Sequence, residues 1–244
     1  MTDAVIDCQG CSKAFGNKHA ITDISLKVQK GEIFAIIGPS GAGKTTLLRV
    51  LTTLEPPDKG RVRFLGMNAY SDNGSDQKIR RSLGYVPQKA TMLAGTVEDN
   101  IALPLKTRGV PSTEVRKRVD EIAERFGILE ILRKNASKVS GGEAQRTSFA
   151  RALVFEPKVL FLVEFIANLD PANAEILESV VRDFTSKGGT AVMVTHKLLQ
   201  VKRLADRMAI VMEGRLVQVG KIKDVFAKPK NELVRKFVTG EMAW

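Results

Sequence analysis

One run of residues limits what this chain can fold into more than any other: Gly38-Pro39-Ser40-Gly41-Ala42-Gly43-Lys44-Thr45, followed by Thr46. The spacing is G-x-x-x-x-G-K-[ST], and its context is the one that gives the pattern meaning. Ahead of it stands an unbroken apolar stretch, Ile33-Phe34-Ala35-Ile36-Ile37. Behind it, Thr45 to Leu54 reads as a helix closed by Glu55-Pro56-Pro57. A strand with no polar residue predicts a sheet covered on both faces, hence a parallel α/β arrangement. Between strand and helix, glycines let the backbone wrap closely, so that its N–H groups and the helix N-terminus face phosphates. Lys44 is placed to reach the terminal phosphates, and the Thr45 hydroxyl to ligate Mg²⁺. The run from Gly38 to Thr46 is therefore expected to bind the phosphates of a nucleotide. On its own it does not separate kinases, GTPases, helicases and transport ATPases.

The rest of the chain sorts around this loop. Ile21, Ile24, Leu26 and Val28 alternate, and Arg61–Leu65 and Ser82–Val86 read as short strands, giving an antiparallel β portion near the N-terminus. The middle is helical: Thr96–Leu105, then Ser112–Phe126 with Ser112 as N-cap and a stripe of Val115, Val119, Ile122 and Phe126. From Val159 the βα alternation returns, with a strand to Val163, a helix over Ala172–Phe184, and strands at Ala191–Thr195, Arg207–Met212 and Arg215–Val219. The expected organisation is one α/β domain over 1–244, with a mostly parallel core at about 1–87 and 150–244 and a helical insertion subdomain at about 88–149. In the tail, Leu233, Val234 and Phe237 read as a packed helix face.

Composition excludes several classes. No apolar run approaches the roughly 20 residues that span a bilayer. The start, Met1-Thr2-Asp3-Ala4-Val5, lacks the basic and apolar segments of a secretory signal, so a cytosolic chain is expected. Cys8 and Cys11 form a lone C-x-x-C, and a structural zinc site needs about four ligands. On a strand, residues three apart point to opposite faces, which predicts two reduced thiols. The net charge of +11 invites nucleic acid, but the basic residues are dispersed and there are only two Tyr and one Trp to stack bases. Anionic lipid attracts such a surface equally well.

A second motif narrows the field. Val139-Ser140-Gly141-Gly142-Glu143, continued by Ala144-Gln145-Arg146, resembles the signature motif of the ABC ATPases, with Val139 where that family usually has Leu. Physically, Ser140, Gly141 and Gly142 open a helix and offer an anion a hydroxyl, N–H groups and a positive dipole end; a plain Ser N-cap would account for these residues alone, but it is the weaker reading beside the phosphate loop and the remaining landmarks. Further landmarks follow in the family's order. Tyr85-Val86-Pro87-Gln88 looks like the Q-loop, Ala167-Asn168-Leu169-Asp170 like the D-loop, and Thr195-His196 like the switch histidine; Phe15 stands where the family stacks an aromatic ring on adenine. The resemblance implies a P-loop NTPase core and two cofactors, ATP and Mg²⁺. It implies phosphate contacts from Gly38 to Thr46 and from Ser140, Gly141, Gly142 and Asp170, metal contacts from Thr45 and Gln88, and catalytic parts for Glu164, His196 and Gln88.

One departure stands out. The family's strand before the D-loop ends in aspartate, the catalytic glutamate, then Pro-Thr, whereas this chain reads Val163-Glu164-Phe165-Ile166. Valine has no lone pair for a metal or its waters. Losing an outer-shell carboxylate weakens metal binding roughly 10–100-fold, about 1.4–2.7 kcal/mol. Nucleotide binding is expected to survive that and hydrolysis to slow, with Phe165 and Ile166 adding bulk beside Glu164.

The resemblance further implies a dimer in the ATP-bound state, transmembrane permease subunits, a separate substrate-binding protein, and a place on the cytoplasmic face of the membrane. Thr96-Val97-Glu98-Asp99-Asn100 resembles the coupling surface, and the chain's size leaves no room for an added regulatory domain. A small polar solute or oxyanion imported by a prokaryote is the expected cargo. Two other readings stay open: a nucleotide-binding subunit without catalysis, and a non-transport relative acting on nucleic acid or ribosomes. The second is weakened by the lack of a long coiled-coil insertion and of a second P-loop.

Overall fold

The computed structural model describes residues 4–71, 74–167 and 169–241. In chain order they form β1 (Ala4–Phe15), β2 (Lys18–Gln29), β3 (Ile33–Ile37), α1 (Lys44–Leu51), β4 (Lys59–Phe64), β5 (Met67–Asn68), α2 (Ser75–Arg81), β6 (Leu83–Val86), α3 (Val97–Lys106) and α4 (Ser112–Arg125). After 3-10 turns at Leu129–Ile131 and Ala136–Lys138 come α5 (Gly141–Leu153), β7 (Val159–Val163), α6 (Pro171–Ser186), β8 (Thr190–Val194), α7 (Leu198–Leu204), β9 (Arg207–Met212), β10 (Arg215–Lys221), α8 (Ile222–Ala227) and α9 (Glu232–Thr239). No helix among the described residues is long and apolar enough to cross a membrane.

The chain divides into two compact units. The first comprises residues up to Leu83 together with those from Arg182 onward. Its parallel strands explain the apolar run before the phosphate loop: β3 lies between β8 and β9, parallel to both, and every one of its side chains is buried. A strand covered on both faces and both edges has no polar position to offer. The antiparallel expectation near the N-terminus also appears, as a sheet ordered β2-β1-β4-β5. Helix α1 stops at Leu51, short of the expected Leu54, because Thr53 turns left-handed at φ 58°.

The cysteines correct the alternation argument. Pairing between β1 and β2 is irregular between Cys8 and Cys11, and the one extra residue on β1 resets which side chains face inward. Both thiols are buried and free, Cys8 donating to the Ile24 carbonyl at 3.4 Å and Cys11 to that of Arg61 at 3.4 Å. The hydrogen bond with Cys11, and burial after it, push the Cys8 thiol up, which keeps it protonated.

The second unit spans Gly84–Val181, and the helical segment read over 88–149 lies inside it. Here β6 and β7 are neighbours, and no Cβ fits at Gly84, where it would sit 2.7 Å from the Ala152 carbonyl oxygen. The α4 stripe buries Val115, Val119 and Ala123, with Phe126 at its C-cap; Ile122 is half-buried. Ser112 is the first helical residue and Pro111 takes the cap position, its fixed φ of −57° leading into the helix. In the first unit, α9 packs Val234, Phe237 and Val238, while Leu233 stays 45% exposed, outside the packed face expected of it.

Candidate functional site

In the first unit the turn from β3 into α1 closes one side of a cavity of about 480 Å³, lined among others by Phe15, Lys18, His19, Lys44, Thr45 and Glu213. Two glycines make this turn possible. A Cβ on Gly38, at φ 154°, would collide with the Val211 carbonyl oxygen, and one on Gly43, at φ 96°, with that of Ala20. The loop is pinned from outside as well: Gly214 N donates 3.0 Å to the Ala42 carbonyl, and Thr22 N donates 2.7 Å to Gly214.

The start of α1 is open to an anion. Its cap residue, Gly43, supplies no side-chain hydrogen bond, and the first turn holds no acid. The first N–H groups of a helix have no intrahelical acceptor, so they add to the dipole's attraction for negative charge. Lys44 Nζ donates to the carbonyls of Gly38 at 2.7 Å and Pro39 at 2.6 Å, which keeps the ammonium over the loop. Pro39 is half-buried, Ser40, Gly41 and Thr45 are exposed, Ala42 is buried and Thr46 is half-buried. The donor set fits a polyphosphate: a cation, open helix amides and hydroxyls, with the 47% exposed Phe15 ring beside them. His196 is exposed in the same unit, just past the end of β8, where the buried Thr195 accepts from Lys197 N at 3.1 Å.

The second unit carries the remaining residues. Gln88 is exposed in the segment after β6. Ser140 is the N-cap of α5: its Oγ accepts from Glu143 N at 3.3 Å, and Glu143 Oε2 accepts from Ser140 N at 2.6 Å. Ser140 and Glu143 thus form a capping box at the start of the helix. Gly141 and Gly142 form the first turn of the same helix, with Asn173 beside Gly142. The Ser140 N–H first, with Lys134 also contributing, holds the Glu143 carboxyl below its ordinary range.

Glu164 is buried, at φ 44°, and its carbonyl accepts from Ala167 N at 2.8 Å to close a tight turn. A left-handed glutamate costs about 1–2 kcal/mol, so this turn is held by its surroundings. Val163 ends β7 half-buried just before it. Phe165 and Ile166 are turned inward: Phe165 packs edge-on against Phe149 at 5.6 Å, and Ile166 is 7% exposed. Their bulk goes into the core. Asp170 is exposed and caps α6, accepting from Asn173 N at 3.0 Å and Asn173 Nδ2 at 2.6 Å, so that the Asn173 N–H holds its carboxyl low. Asn173 also accepts from Arg146 of α5. Asn168 lies outside the described residues.

The motif reading missed Lys18, His19, Ala20, Glu213 and Gly214 in the cavity wall. They stand at two chain reversals, β1 to β2 and β9 to β10. The local signs were the Gly16-Asn17 and Glu213-Gly214 pairs, hairpin-turn signals that say nothing of a ligand.

The chain is similar to known proteins along most of its length. The family model described as ABC transporter matches residues 21–167. The molybdate/tungstate import ATP-binding protein WtpC of Thermococcus kodakarensis is 40% identical over 96% of this chain and 70% of its own length. The methionine import ATP-binding protein MetN of Cupriavidus metallidurans is 36% identical over the same shares. Among solved structures, cbiO1 from Clostridium perfringens, part of an ABC transporter complex, matches with a TM-score of 0.84 at 28% identity, covering 98% of this chain and 100% of that one. An ATP-binding cassette solved as a dimer in a post-hydrolysis state with ADP and Pi matches at 0.82 and 26% identity, covering 89% and 98%. The chain belongs to the ABC transporter family, as an ATP-binding subunit with that family's ATPase fold.

Proposed function

We propose that the chain binds ATP with Mg²⁺ at the Lys44 loop and turns it over to drive import of a small polar solute or oxyanion. The observation that carries this is the uncapped start of α1, with Lys44 and the exposed Phe15 around one cavity. Gly38 to Thr46 hold the phosphates and Phe15 stacks on the base. Thr45 and Gln88 are assigned to the metal, which neutralises developing charge on the phosphates when bound. Glu164 orients the attacking water, and His196 contacts the terminal phosphate. Ser140, Gly141, Gly142 and Asp170 are assigned to a facing copy's nucleotide. The relative solved as a dimer supports pairing of two copies, and the import proteins among the relatives support permease subunits and a peripheral position on the cytoplasmic face, with a separate substrate-binding protein as part of the same reading. The positive charge is dispersed, and no nucleic-acid partner is proposed.

Turnover is slow in this reading, because Val163 offers the metal no carboxylate. Steady-state ATPase measured on the chain and on Val163→Asp tests it: the carboxylate should raise kcat by about tenfold or more. An unchanged rate would contradict the role given to Val163. A rate of zero in both would favour the second reading that Val163 suggests, nucleotide binding without catalysis.

A further inference from the structure

Asn100 lies in the first turns of α3 and is 1% exposed, a costly place for an amide unless every polar atom is matched. Every one is. Oδ1 accepts from Leu93 N at 2.8 Å and from Arg151 Nη1 at 3.1 Å, and Nδ2 donates to the carbonyls of Leu93 at 3.0 Å and Thr96 at 2.9 Å. Two acceptor sites and two donors exhaust the side chain. Arg151 adds a second hold, its Nη2 donating 2.9 Å to the Thr91 carbonyl.

These contacts tie an irregular, exposed segment to two helices. Thr91, Leu93 and Ala94 face solvent, and Leu93 is an apolar side chain left 46% exposed. The segment begins at Gln88. Arg151 sits near the far end of α5, whose first residues follow Ser140. Helix α5 is therefore a rod of about 20 Å with the Leu93 segment at one end and the Ser-Gly-Gly turn at the other. Arg151 is half-buried, its two acceptors are an amide and a carbonyl rather than a carboxylate, and burial pulls its guanidinium down. Replacing a desolvated charged side chain by an apolar one of similar volume is often neutral or stabilising. Packing does not require it there.

We infer that Asn100 and Arg151 are positioning residues for ATP turnover: they fix residues 91–93 to the helix that begins at Ser140, so that contact on the exposed Leu93 reaches the signature turn. The inference rests on the ATPase reading above and adds to it two residues that touch neither nucleotide nor metal.

Three measurements on the full chain separate this from a structural role. Hydrogen exchange needs no nucleotide: in Asn100→Ala the Leu93 amide should exchange about tenfold faster or more, and unchanged exchange would overturn the link. Arg151→Met keeps the stem and removes the charge. It should leave thermal stability equal or raised while kcat falls about tenfold at an unchanged KM for ATP. A residue that merely stabilised the fold would move both quantities the same way, and a kcat within twofold of the parent in both variants would overturn the inference. Arg151→Lys should recover part of the loss, since it restores one donor. A parent chain with no ATP turnover would defeat the ATPase reading itself, leaving the exchange result to decide whether the link exists.

Discussion

Gln145 Nε2 donates a 3.0 Å hydrogen bond to the carbonyl oxygen of Phe165, joining α5 to the turn that starts at Glu164. Gln145 is 5% exposed and Phe165 1%, so neither end can turn to water instead. The helix carrying Ser140 and the turn carrying Glu164 share one buried polar contact.

Gln145→Leu is expected to leave the Phe165 carbonyl buried without a donor. Chemical denaturation should show a loss of about 1–3 kcal/mol with an unchanged m-value. A variant as stable as the parent would mean that the turn finds another donor.

Gly38→Ala tests the loop's backbone. The new Cβ meets the Val211 carbonyl oxygen, so either β9 or the loop must shift. Thermal unfolding should register a cost of about 3 kcal/mol, with nucleotide binding lost alongside.

Phe15→Ala separates stacking from folding. With 47% of the residue exposed, its removal should leave stability nearly unchanged. ATP affinity, read by titration, should fall about 10–100-fold, the value of one base stacked on an aromatic ring. Equal loss for inorganic triphosphate, which has no base, would contradict the assignment.

Glu143 carries a pH dependence of defined sign. Its folded pKa is depressed, first by the Ser140 N–H, so its stabilising contribution is fully present above the ordinary value of 4.5 and is lost as pH falls through the lowered folded value. The stability of Glu143→Gln should therefore fall less steeply than the parent's below about pH 4.5. Parallel acid profiles would show that the carboxylate is not held by the cap.

The phosphate loop was legible because its signals are local: an apolar strand, fixed glycines, a cation and a helix, all within a few residues. Ser140 was legible as a helix start for the same reason, and the all-apolar run Ile33–Ile37 gave the parallel α/β class. What the residues hid was set by pairing and distance. An irregular register between β1 and β2 put Cys8 and Cys11 on one buried side, which strict alternation forbids. Helices α2, α7 and α8 run seven, seven and six residues, too short for periodicity to show, and are held by packing. Lys18, His19 and Glu213 reach the cavity only once two hairpins have formed.

The most direct measurement is equilibrium titration of the full chain with Mg²⁺-ATP, beside Lys44→Ala. Lys44 Nζ contacts carbonyls of its own loop, so the variant should fold as the parent does. Saturable binding by the parent, weakened about 10–100-fold in the variant, is the predicted result. Equal affinity in the two chains, or no binding by the parent, would contradict the account.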